Sequence, residues 1–154
     1  MLFGIFGRKK EKRDNAPLFD GALIGKFARD HKELAGHIEK VYRHFERGEE
    51  AKVVKTLKRM QKKALNHFME EDLKLYWYLR KHYSEDPSAL MTIRNFEEEI
   101  KPIQKEVILF FDRYTEQGAK LDGRFKQGFD EIVKRLVKRI EAEEAQLYPL
   151  YKEE

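Results

Sequence analysis

HFMEE, residues 67–71, decides how this chain folds. It lies in a run of helix-forming residues and sets His67 and Glu71 four positions apart. On a helix that spacing puts both side chains on one face. The same face continues as Val53, Leu57, Met60 and Ala64 before the histidine, and as Leu75 and Tyr78 after the glutamate. A histidine and a carboxylate therefore stand inside an apolar stripe, where an unpaired charge costs several kcal/mol.

Three further stripes have the same period. Leu23, Phe27, His31, Leu34, Ile38, Val41 and Phe45 form the first, which ends at Gly48. Ile93, Phe96, Ile100, Ile103, Val107, Phe110 and Tyr114 form the third. It follows SEDPS (84–88), where Ser84 or Asp86 is placed to cap a helix and Pro87 to open it. Pro102 inside this stripe predicts a kink or a late helix start. The fourth runs Phe125, Phe129, Ile132, Leu136, Arg139, Glu143, Leu147 and Leu150. Short turn-rich links join the four, and short links make consecutive helices antiparallel neighbours. The fold class expected is all-α, an up-down-up-down antiparallel four-helix bundle over residues 18–154, preceded by a tail at 1–17.

Composition supports this. A length of 154 residues suits one domain, and only 4 prolines and 9 glycines argue against a turn-rich β fold. The absence of cysteine excludes disulfides, thiolate zinc sites and iron–sulfur clusters, and is compatible with a cytoplasmic location. The net charge of +4 comes from interspersed Lys and Glu, so no nucleic-acid partner is expected. The basic run Lys52, Lys55, Lys58, Arg59, Lys62 and Lys63 reads as a solvated helix face. At the N-terminus, apolar MLFGIF precedes the basic RKKEKR. This gives two readings: a weak anchor of residues 1–13 on anionic membranes, or a tail packed on the domain.

Polar residues recur inside three stripes: His31 in the first, His67 and Glu71 in the second, Arg139 and Glu143 in the fourth with Glu144 beside them. Such residues converge only if something compensates them. One solution is a divalent metal, since imidazole and carboxylate suit iron, zinc or manganese. The other is a hydrogen-bonded network in which Arg139 forks to Glu71 and to Glu143 or Glu144. His37, His44 and His82 fall off the stripes and read as surface or flanking residues. Neither a nucleophilic triad nor a phosphate loop is present, and Tyr76, Trp77 and Tyr78 read as packing, so no enzyme is expected.

The ordered elements Asp30-His31-Lys32-Glu33-Leu34, His67-Phe68-Met69-Glu70-Glu71 and Arg139-Ile140-Glu141-Ala142-Glu143-Glu144-Ala145-Gln146-Leu147-Tyr148-Pro149-Leu150 resemble the DHxxL, HFxxEE and HIxxEExxLFPL elements of the hemerythrin-like, HHE cation-binding family. That resemblance implies a non-haem iron centre built from histidines and bridging carboxylates, used to bind oxygen or to store or sense iron or redox state. Carried over by position, the metal ligands it implies are His31, His67, Glu71 and Glu144. Arg139 stands where the pattern has a ligand histidine, and the third helix offers only Gln104 near Ile100 and Ile103. The set is thus reduced. It suits either a smaller site for iron or another divalent metal, or a metal-free interaction module in which Arg139 replaces the cation.

Overall fold

The computed structural model describes residues 15–153. The tail residues that motivate membrane contact, 1–13, lie outside the described residues. Within them the chain is all-helical, with four helices and no strand. Helix α1 is Leu23–Glu46. Helix α2 runs as α-helix over Glu50–Glu70, as a wider π-helical stretch over Glu71–Tyr76, and as α-helix again over Trp77–His82. Helix α3 is Pro87–Thr115. Helix α4 is Gly123–Ala142, continued by a π stretch at Glu143–Leu147 and a 3-10 turn at Tyr148–Leu150.

Local chemistry sets the ends. Helix α1 stops where Gly48 adopts φ 68°, a left-handed conformation that glycine takes without steric cost. Asp86 caps α3 by accepting the Ala89 N–H at 3.1 Å, and Pro87 occupies the first turn. Asp122 caps α4 through the amides of Arg124 and Phe125. Pro102 neither delays nor ends α3, which is one helix from Pro87 to Thr115. Its missing N–H withholds the helical donor from the Glu98 carbonyl at one turn only.

Contacts between consecutive helices run in reversed order. On α1 and α2, Lys26 meets Glu70, Asp30 meets His67, and Glu33 meets Lys63. On α2 and α3, Gln61 meets Asp112 and Arg80 meets Glu97. Between α3 and α4, Phe110 packs on Phe125 while Phe96 takes Arg139 through its carbonyl.

The core is split in two. One apolar cluster gathers Leu34, Val41, Leu57, Met60, Phe111, Phe125 and Phe129. The other gathers Leu23, Phe27, Leu75, Tyr76, Leu79, Ile93 and Leu147. On α1, α2 and α4 the buried ionisable residues fall between the two: Asp30 and His31, His67 and Glu71, Arg139 and Glu143. A polar layer is thus sandwiched between apolar ones. On α3 the intervening buried residue is Ile100. Exposed aromatic or apolar residues include Trp77 and Leu109, and no helix of the described residues is long and apolar enough to cross a membrane.

Because the larger cluster supports the polar layer from one side, deleting a fully buried side chain there should be costly. Leu57→Ala is expected to lower unfolding free energy by about 2–5 kcal/mol in urea or guanidinium titration. A loss below about 1 kcal/mol would show that Leu57 is not packed as described.

Candidate metal centre

Four helical residues deliver the inward donors. His31 comes from α1, His67 and Glu71 from α2, and Glu143 from α4, each 4% exposed or less. The Nε2 atoms of His31 and His67 face each other at 3.3 Å. Glu143 Oε1 lies 3.3 Å from His31 Nε2, and Glu71 Oε1 lies 3.3 Å from His67 Nε2. Donor atoms of His31, His67 and Glu143 all fall within 4.8 Å of one another, a grouping able to hold a cation. Tyr148 closes the cluster: its hydroxyl donates to Glu71 Oε2 at 2.9 Å and lies 3.2 Å from His31 Nε2 and 3.3 Å from Glu143 Oε1.

The outward nitrogens explain why the inward ones face each other. His67 Nδ1 donates to Asp30 Oδ2 at 2.9 Å, and His31 Nδ1 donates to Glu144 Oε2 at 2.7 Å. In the neutral ring each bond puts the proton on Nδ1 and leaves the Nε2 lone pair for the interior. An outward N–H held by a carboxylate is the usual support of a metal-binding imidazole. Asp30 is itself fixed by Lys26 at 3.0 Å and by Lys63 at 2.9 Å. Burial would raise its pKa, but His67 and the two lysines outweigh that and hold the carboxyl at about 2.

Electrostatics separate the two buried glutamates. Burial and the charge of Glu143 push Glu71 up. Burial also opposes ionisation of Glu143, but His31 and Arg139 pull it below the usual carboxylate range. Arg139 Nε donates to Glu143 Oε2 at 3.0 Å, so Oε1 still points at the histidines. The remaining bonds of Arg139 go to the Tyr76 hydroxyl at 2.8 Å and the Phe96 carbonyl at 2.9 Å. Arg139 therefore grips one glutamate from behind and does not fill the space between the imidazoles. Burial and the two carboxylates push the Tyr148 hydroxyl far above its ordinary value, so it remains a proton donor.

The donor set fits a cation. With metal–ligand bonds of about 2.0–2.2 Å, neighbouring nitrogen and oxygen donors stand about 3.0–3.4 Å apart. The three 3.3 Å spacings meet that requirement, and the donor atoms of His31, His67 and Glu143 all lie within 4.8 Å of one another.

Of the four ligands implied by the resemblance, His31 and His67 belong to the grouping with Glu143, and Glu71 adjoins it through His67 and Tyr148. Glu144 does neither: its side chain is 47% exposed and binds the outer nitrogen of His31. Glu143 takes the inward position. The regular period from Arg139 puts Glu143 inward and leaves Glu144 at the rim; helix α4 widens from Glu143 onward, and that widening lets Tyr148 turn inward beside Leu147. Arg139 reaches Glu143 but forms no bond to Glu71 or Glu144. Asp30 and Tyr148, which the sequence reading leaves without a role, hold His67 and Glu71 respectively. For Asp30 a signal existed, because 27, 30 and 34 follow the helical period. His37, His44 and His82 are half-buried and outside the cluster.

The family model described as hemerythrin HHE cation binding domain matches residues 22–151. The chain belongs to the hemerythrin HHE cation-binding domain family. Comparison with curated proteins and with solved structures returns no match.

The cluster also predicts a pH dependence. Burial opposes charge on His67, but Glu71 and Asp30 override it and raise its pKa from 6.5 to about 9. His31 is raised too, burial being outweighed by Glu143 and Glu144. A group that holds its proton more tightly when folded stabilises fully below its unfolded pKa, and that stability is lost as pH rises through the folded value. Chelator-treated protein should therefore show a falling unfolding midpoint from pH 6.5 through about 9. Metal-loaded protein should not, since metal binds the neutral imidazole. A flat profile in the chelated protein would contradict the facing-imidazole geometry.

Proposed function

We propose that this chain is a hemerythrin-like protein that binds a single divalent metal ion, iron foremost, for binding or sensing rather than for catalysis. The observation that carries this reading is the facing pair of imidazole Nε2 atoms, 3.3 Å apart, with both outward nitrogens held by carboxylates. His31, His67, Glu143 and Glu71 would hold the ion. Their nitrogen and oxygen donors suit iron, zinc or manganese. When bound, such an ion supplies redox or Lewis-acid chemistry. The protein contributes fixed donors, a proton-holding Tyr148 and apolar layers that keep water away. A second metal lacks ligands, because α3 brings Ile100 rather than a histidine to this layer. An up-down-up-down antiparallel arrangement belongs to this proposal and is supported by the reversed order of contacts between consecutive helices. So do a cytoplasmic location and the absence of a nucleic-acid partner.

A second reading has its own observation. Arg139, Tyr148 and the two histidines satisfy both buried glutamates by hydrogen bonds alone. In that reading the domain is a metal-free interaction or regulatory module.

Metal retention decides between them. Wild-type protein prepared without chelator or affinity metal, given one equivalent of iron(II) anaerobically and desalted, should keep near-stoichiometric metal. His67→Ala should lose most of it, and its unfolding midpoint should no longer rise on metal addition. Arg139→Gln should keep the metal, because Arg139 contacts only the outer oxygen of Glu143. In the metal-free reading the wild type retains none, and Arg139→Gln alone costs about 3–5 kcal/mol by stranding a buried carboxylate.

A further inference from the structure

Arg139 has a second side. Its Nε and Nη2 are bound within the core, but Nη1 has no acceptor among the described residues. The residue is only 6% exposed, and it lines a groove of about 320 Å³ between α3 and α4. Its walls are apolar: Phe96 and Ile103 from α3 and Ala142 from α4. Lys138 and Arg135 stand at the mouth, with Glu99 as the one acidic residue of the lining. Arg135 is engaged by Glu106, whereas Lys138 has no ion pair among the described residues. Phe96 lies 4.8 Å beneath the guanidinium carbon and keeps its plane fixed.

A buried cation with unused donors, apolar walls and a second cation at the rim describe complementarity to one kind of small molecule. We propose that this groove binds a small amphipathic carboxylate. Its carboxyl accepts from Arg139 Nη1 and is attracted by Lys138, and its apolar part lies between Phe96, Ile103 and Ala142. The volume is at the small end for ligand pockets and suits a short apolar part. A bare oxyanion would satisfy the guanidinium but leave the apolar walls wet. An uncharged analogue would fill the walls but leave Nη1 without an anionic partner. The site is independent of whether metal occupies the neighbouring cluster, because it uses the face of Arg139 turned away from Glu143.

Hexanoate is a suitable probe, with hexanamide and inorganic phosphate as comparisons, followed by NMR on the full chain. Hexanoate should shift the amide signals of Phe96 and Ala142 saturably. Hexanamide should bind at least about tenfold more weakly, and phosphate should not displace hexanoate. Lys138→Glu, at an exposed position that leaves the fold intact, should weaken hexanoate by about tenfold. Ala142→Leu should abolish binding by filling the groove. Failure of hexanoate to saturate, equal binding of hexanamide, displacement by phosphate, or wild-type affinity in both variants would each overturn the proposal.

Discussion

Two imidazole nitrogens held face to face inside a helical bundle are the constraint on which the rest of this structure turns. Lone pairs 3.3 Å apart repel unless a proton or a cation stands between them. The protein makes this arrangement unavoidable by fixing both outer nitrogens as donors. Asp30, kept ionised by Lys26, Lys63 and His67, does so for one ring. Glu144 does so for the other. The positive charge that the pair demands is matched by the buried carboxylates Glu71 and Glu143. Those in turn require Tyr148 and Arg139, so each polar residue of the layer has a reason given by its neighbour.

Backbone geometry serves the same end. In both helices that carry an inward glutamate, the π stretch begins at that glutamate, Glu71 in α2 and Glu143 in α4. Widening of one helical turn shifts the register of everything after it, and such turns concentrate at functional sites. It lets α2 bury Leu75, Tyr76, Tyr78 and Leu79 while Trp77 stays partly exposed. It lets α4 bury Leu147 and Tyr148 together, bringing the phenol back over the cluster. Apolar layers on both sides then exclude water, which strengthens every charge interaction within.

Much of this was legible in the sequence. Periodicity locates the four helices and the inward His31, His67, Glu71 and Glu143, because burial follows an apolar stripe whenever the helix is regular; turn residues mark the Gly48 stop and leave Ser84 and Asp86 as candidate caps of α3, of which the structure uses Asp86. Periodicity does not reach Tyr148, which the widened turn of α4 brings inward off the regular stripe. The position of Glu144 in the family pattern points to a ligand, whereas the helical period itself puts Glu143 inward and Glu144 at the rim. Arg139 was expected to fork between glutamates, but one guanidinium edge goes to Tyr76 and the Phe96 carbonyl, partners that periodicity cannot name. Pro102 does not delay the start of α3, since one missing N–H is a local loss within a helix that runs from Pro87 to Thr115.

X-ray absorption of the protein loaded with one equivalent of iron(II) or zinc reads the ligands of the facing-imidazole site. The expected result is one ion per chain with multiple-scattering signals from two imidazoles and oxygen neighbours, all at about 2.0–2.2 Å, and no metal–metal vector. An ion without imidazole ligation, a metal–metal vector, or no retained ion at all would contradict that site.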